Sequence, residues 1–380
     1  MFLIEIGARG VLYALVTCVV FLIIYNLFSK SSLNRNALFG ALTVLCFLSL
    51  SLIWSRAPNY GTTKVIMLSA WMLMAVNTRK EVRDNLHLFV QWTILAAAVY
   101  LVVFWWFNGS PLGLIRDSSV YSRVSRGWGL TQSNPVYVAR YLGFIVIISI
   151  SHLFFSPQEN KVHWSFKLLV VPVATLSILY LLVTNSRGPI VAGVIAITLL
   201  LLFQFSSKRK GLNRVFAFGI AFVVTIVVWY VLQVVDYQLI QSRFVLDESA
   251  YSRVDHINLA FQNLSGRSLL IGNGTGDYGF LFVGSDARAY PHNIFVEILY
   301  ENGIAAALSF MVVLIILVVS ALTSRSDASI LFSILVIYFL VNAQFSGDLI
   351  SNNYLFVFAI FAIPQYSTRR RVRASHSDQL

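Results

Sequence analysis

The sequence predicts an all-α polytopic membrane protein of about eleven transmembrane helices (10–12) with one large outward-facing loop, and three observations predict it. Hydrophobic residues make up 58% of the 380-residue chain and charged residues only 12%, more apolar surface than a soluble domain can cover. Apolar runs of span length recur through nearly the whole chain. Between them, lysine-containing links alternate with links nearly free of lysine, which sets an orientation by the positive-inside rule.

In chain order the spans fall at 10–28, 37–54, 62–77, 87–107, 134–155, 168–184, 189–206, 215–235, 294–322, 329–346 and 350–365. The first has the length of a span and lacks a basic leader and a small-residue cleavage site, so it reads as a helix, not a signal peptide. Basic links at 29–36, 78–86, 156–167, 207–214 and 323–328, with the tail after Pro364, are expected in the cytoplasm. The tail carries Arg369-Arg370-Arg371-Val372-Arg373. The segments 55–61, 108–133, 185–188, 236–293 and 347–349 then face out, as does the N-terminus. Residues 1–365 are expected to form a single transmembrane domain containing the loop 236–293, and 366–380 a basic cytoplasmic tail. Cys18 and Cys46 both lie in apolar runs, which excludes a disulfide framework or a zinc site built on them.

The basic residues divide unevenly in kind. Inner segments hold 16 of the 28, six of them lysine, whereas the outer side holds ten arginines and one lysine, Lys64, with Arg140 inside a span. Arginine offers a planar fork that binds phosphate or carboxylate through two bonds, which lysine cannot do. Ten arginines therefore point to an outer anion site, against an ordinary solvated, headgroup-binding face as the alternative for any single one.

Arg187 lies in the tight turn Thr184-Asn185-Ser186-Arg187-Gly188-Pro189, whose following helix can add backbone donors to an anion. Arg126 precedes Gly127-Trp128-Gly129, with Arg123 close by; Trp128 offers a face for a sugar ring, or an interfacial anchor. In the large loop, Ser252–Phe261 has helical periodicity, with Val254, Ile257 and Phe261 on one face and Arg253 at its start. Ile271-Gly272-Asn273-Gly274-Thr275-Gly276-Asp277 reads as a closely packed, flexible loop, because no strand–helix context or Walker lysine makes it a nucleotide site. At the loop's end, Arg288 and Tyr290-Pro291 lead into His292, and Asn293 is a good N-cap for the next span. The helix N-terminus should keep His292 neutral and able to accept a proton; its alternative is a plain surface cap. Asp277, Asp286 and Asp348 lack the spacing of metal ligands, and the spans hold almost no ionisable residue away from their ends.

These segments, in this order, resemble the O-antigen ligase and O-antigen polymerase superfamily. Ser186-Arg187-Gly188 is similar to that family's arginine turn, Ser252-Arg253 to its outer-loop arginine, and His292-Asn293 followed after nine residues by Gly303 to its histidine signature. Arg126-Gly127 before Asn134-Pro135 and Phe345-Ser346-Gly347-Asp348 also fit, so the resemblance runs from about 115 to 355. Ala306 departs from it, where many ligases carry Gly, Thr or Tyr.

The resemblance implies a bacterial inner-membrane glycosyltransferase that needs neither metal nor cofactor and inverts the anomeric carbon, with the large outward-facing loop 236–293 as a periplasmic loop. Its donor would be an undecaprenyl-pyrophosphate-linked oligosaccharide, with membrane lipid, a chain-length regulator and a flippase as partners and no nucleic acid. Arg187 and Arg253 would clamp the pyrophosphate and His292 would act as general base. Arg126, Arg123, Arg288, Asn293 and Trp128 would contact substrate. A polymerase, which joins lipid-linked repeat units, is favoured over a ligase, which moves the finished polymer to lipid A-core, because Tyr290-Pro291-His292-Asn293 lacks the His-x-His-Asn form. A transporter of an anionic glycolipid would require charged or broken helices at mid-membrane.

Overall fold

The computed structural model describes residues 35–111, 135–155, 164–184, 186–206, 248–324 and 326–363. The expected spans 10–28 and 215–235, residues 236–247 of the loop and the tail 366–380 lie outside the described residues. Among these residues the chain is helical, with no strand. In order come α1 (Arg35–Ser51), a 3₁₀ turn (Leu52–Trp54), α2 (Pro58–Asp84), α3 (Leu86–Asn108) and α4 (Pro135–Phe155). They are followed by α5 (Trp164–Val183), α6 (Arg187–Ser206), α7 (Glu248–Gln262), α8 (Arg267–Ile271) and α9 (Tyr278–Val283). The chain continues through α10 (Ile294–Ser324), α11 (Asp327–Ala343) and α12 (Asn353–Ala362).

Among the described residues three windows, Leu86–Trp106, Val136–Leu153 and Ile294–Val319, are long and apolar enough to cross a membrane, and shorter apolar helices accompany them. The helices begin where the sequence provides caps. Pro58 and Pro135 stand at first helical positions, where a missing N–H costs nothing. Ser326 accepts from Ser329 N, and Asn293 Oδ1 accepts from Phe295 N and Val296 N at 3.0 and 3.1 Å. For α2 the cap comes from far along the chain, since the Asp286 carboxylate accepts from Asn59 N and Tyr60 N at 2.8 and 3.0 Å.

The bundle sorts the connections into two ends. At one end, Arg56 meets Asp277, Tyr60 and Arg288 meet Asp348, Tyr137 meets Ser351, Tyr180 meets Gly109, and Gly188 packs on Phe345. All these residues belong to segments read as outer from the charge pattern, or to the first or last turn of a span beside them. At the opposite end, Arg79 and Arg83 donate to the carbonyls of Ile360, Phe361 and Ile363, and Arg83 also to Ser326 and Ser329. There the arginines complete the C-terminus of α12, where backbone oxygens lack helical partners.

Two expectations are corrected. The span 294–322 is not one continuous helix: Gly303 has φ 81° and ψ 176°, a conformation essentially reserved for glycine, and breaks α10 after Asn302. The break frees the Tyr300 and Glu301 carbonyls, which Asn273 N and Gly274 N take at 2.9 and 2.8 Å. The glycine-rich loop thereby caps the first half of α10. Its close packing is as expected: a Cβ on Gly272 would lie 2.2 Å from Glu301 O, and one on Gly276 2.6 Å from Gly61 N. The second correction concerns α7. Arg253 sits in its second turn, not at its start, and Val254 and Phe261 are 54% and 50% exposed. Ala260 and Ile257 face inward instead, packing with Tyr278 and Tyr300, because α9 and the first turns of α10 offer α7 a small apolar patch rather than a broad one.

Candidate active site

His292 stands at the end of the bundle where the connections expected to face out come together. Its backbone is left-handed at φ 59°, the only non-glycine residue with positive φ among those described, and such strain collects at functional positions. Its ring lies 4.7 Å from Tyr290 and 5.4 Å from His256, edge to face in both cases, and Nδ1 is buried without a partner. Burial first, then the nearby Arg253 guanidinium and His256, push the His292 pKa down to about 4. The neutral state expected from the sequence therefore holds, but burial and charge cause it.

The neighbouring His256 has a defined tautomer. Tyr278 Oη donates to His256 O at 2.9 Å, which uses its single proton. The 2.9 Å contact between the same Oη and His256 Nδ1 then requires Nδ1–H to donate, leaving Nε2 as an acceptor. Burial pushes the His256 pKa down as well, with Asp255 opposing.

Of the sequence-predicted residues, the fold brings Arg253 to His292. Among the described residues no carboxylate pairs with Arg253, so its charge is available. Arg187 opens α6, and the adjacent Gly188 packs against Phe345, three residues before Asp348. Asn293 is engaged through its Oδ1 in capping α10. Arg288 is engaged with Asp348 through two bonds of 3.1 Å and with Ser351 Oγ at 2.8 Å. Arg123, Arg126 and Trp128 lie outside the described residues.

Not every outer arginine waits for a ligand. Arg56 also grips a carboxylate bidentately, Asp277, at 2.9 and 2.7 Å. Burial alone would raise the Asp348 carboxyl, but Lys64 and Arg288, with Ser351 and Tyr60, hold it below its ordinary value. These pairs tie the connections together and leave Arg253 as the cation facing His292.

Sequence reasoning missed a cluster beneath the site. Lys64 Nζ lies 2.5 Å from Glu297 Oε1 and 2.7 and 2.9 Å from the two Glu301 oxygens, with all three side chains fully buried. Glu297 Oε1 also accepts from Leu349 N at 3.3 Å. Glu297 and Glu301 are one helical turn apart and so share a face of α10, which was the available signal. That Lys64 would meet them was not readable from a residue 233 positions away. All three charges stand near the starts of their helices, and the triad joins α2 to the first half of α10. A broken helix with charges nearby is what a transporter would carry, but here the freed carbonyls are closed by the glycine loop and the carboxylates by Lys64.

No curated protein matches the chain. Residues 172–311 match the family described as O-Antigen ligase. That stretch runs from α5 into the second half of α10 and contains Arg187, Arg253, Arg288, His292 and the Gly303 break. With the arginine turn, the outer-loop arginine and the histidine signature in order at one end of a helical bundle, the stretch 172–311 is similar to the O-antigen ligase family.

Proposed function

We propose that this protein is a glycosyltransferase of bacterial surface polysaccharide assembly. It transfers a polyprenyl-pyrophosphate-linked glycan to an acceptor sugar hydroxyl on the periplasmic side of the inner membrane, most simply as an O-antigen polymerase. Residues 1–365 act as one catalytic domain and 366–380 as a cytoplasmic tail. The observation that carries this reading is a neutral, strained and partly buried His292 beside an Arg253 that no carboxylate neutralises among the described residues, both inside the matched stretch.

Bond breakage at the anomeric carbon leaves negative charge on the departing pyrophosphate, and Arg253 with Arg187 stabilises it. Attack by the acceptor hydroxyl requires a proton sink, and neutral His292 provides one. The two roles are coupled. A base with pKa about 4 is weak, but a pyrophosphate on Arg253 cancels one of the charges that depress it, so donor binding raises the basicity of His292. Premature deprotonation of water is thereby suppressed until the donor arrives. Inversion follows from a single displacement, and the scheme assigns every step to side chains.

The ligase reading rests on the description of the matched family itself. A deletion strain separates the two. Loss of a polymerase leaves surface glycan capped with a single repeat unit, the outcome expected. Bare core with long polymer on the carrier would establish the ligase instead. His292→Ala should insert and fold yet fail to complement, a loss of ~10²–10⁴-fold in transfer; near-normal transfer would reduce His292 to a structural cap.

A further inference from the structure

Beside the proposed base stands a second histidine whose chemistry proton transfer to His292 does not use. His256 follows Arg253 by three residues on α7, so the two share a face of that helix. Both stand close enough to His292 to depress its basicity, and the two imidazole rings lie 5.4 Å apart, edge to face.

The surroundings of His256 fix which atom it offers outward. Nδ1–H is committed to Tyr278 Oη at 2.9 Å, and Tyr278, fully buried, spends its own proton on His256 O. Tyr278 is in turn packed in the small core with Ala260, Val296 and Tyr300, which holds this anchor in place. Burial favours the neutral ring. Nε2 is open to the surface and has no hydrogen-bond partner among the described residues. In His292 the Nδ1 atom is the enclosed one, so there too Nε2 is the nitrogen that opens outward.

An imidazole locked with its N–H inward presents a lone pair and nothing else. It accepts from a hydroxyl and repels an anionic oxygen, which has no proton to give. Arg253, one turn away, has the opposite preference. Together they sort polar groups: phosphate oxygens go to Arg253 and hydroxyls to His256. Phe282 adds an apolar contact, since its ring lies 4.1 Å from that of His256, tilted by 36°, and the residue is 51% exposed. A free acceptor atom beside an open aromatic ring suits a sugar, whose hydroxyls surround an apolar C–H face.

Resting on the function proposed above, we infer that His256 is a further substrate-contacting residue. Its Nε2 accepts a hydrogen bond from a hydroxyl of the acceptor sugar other than the one that attacks, and the C–H face of that sugar rests on Phe282. His292 takes the proton, while His256 holds the ring so that the attacking oxygen stays directed at His292.

The test uses the full chain in nanodiscs. The donor is the lipid-linked repeat unit extracted from a strain deleted for this chain, and the acceptor is the same unit or lipid A-core. His256→Phe keeps a ring against Phe282 but has no acceptor atom, and should lose roughly tenfold in transfer rate. His256→Gln returns an acceptor oxygen and should recover most of that loss, whereas a residue that only packs would give the reverse order. In the unaltered chain, isotope-labelled at its histidine nitrogens, the histidine in contact with the Phe282 ring should show an unprotonated Nε2 whose resonance shifts when acceptor is added. That measurement requires no variant to fold. His256→Phe transferring as well as His256→Gln, a protonated Nε2, or a resonance that ignores the acceptor would overturn the assignment and leave the proposed function standing. Failure of the wild type to transfer to either acceptor would overturn both.

Discussion

Replacing Lys64 by methionine removes a cation that faces two fully buried carboxylates at 2.5–2.9 Å. Breaking a buried pair by removing one partner costs about 3–5 kcal/mol, chiefly because the remaining charge is left without compensation. Here two carboxylates would be stranded, so Lys64→Met should fall at the upper end of that range, a factor of roughly 10³ or more in the folding equilibrium at 1.4 kcal/mol per decade. Glu297→Gln should cost much less, since it leaves one lysine with one glutamate and Glu297 Oε2 has no partner to lose. The triple neutral variant Lys64→Met, Glu297→Gln, Glu301→Gln should recover most of the loss, because replacing all charged members of a buried cluster is often nearly neutral. Thermal unfolding of detergent-purified protein, followed by tryptophan fluorescence, ranks the variants. A triple variant as unstable as Lys64→Met, or Lys64→Met melting like wild type, would refute the reasoning that the triad is held by mutual compensation.

Four further outcomes follow from particular contacts. Arg253→Gln removes a positive charge beside His292, so the His292 pKa should rise from about 4 toward its ordinary value, and the acid limb of kcat/KM should move to higher pH, read from transfer rates between pH 4 and 8. Arg187→Lys should fail nearly as badly as Arg187→Ala in a complementation assay, since charge alone does not replace a two-pronged fork. Gly303→Ala should destabilise by about 1–3 kcal/mol from backbone strain alone, and more because its Cβ would lie 2.3 Å from Leu270 O; expression and melting temperature check it. Cysteines placed at positions 250 and 375 should label from opposite faces of the membrane, and labelling from one face would overturn the topology.

What the sequence determined by itself was whatever depends on local pattern. Apolar run length gave helices close to the expected spans wherever the residues are described, and proline, serine and asparagine at their starts gave the caps. The lysine bias between links correctly grouped the connections that meet at each end, because it acts segment by segment along the chain. The motif order likewise gave the resemblance to the family that matches residues 172–311. The tertiary structure alone decided which charges are spent on one another. Arg56, Arg288 and Arg253 are the same residue type in the same outer segments, yet Asp277 takes the first, Asp348 the second, and no described carboxylate takes the third. Lys64 and the glutamates of α10, or Arg140 and the Asn342 carbonyl, meet only through helix packing across 200 or so residues. Burial then turns those meetings into large effects, because removing water multiplies the worth of a charge that has a partner and the cost of one that has none. The Gly303 break belongs to the same class: a glycine inside an apolar run reads as tolerated, and only the glycine loop packed against it makes the interruption stable.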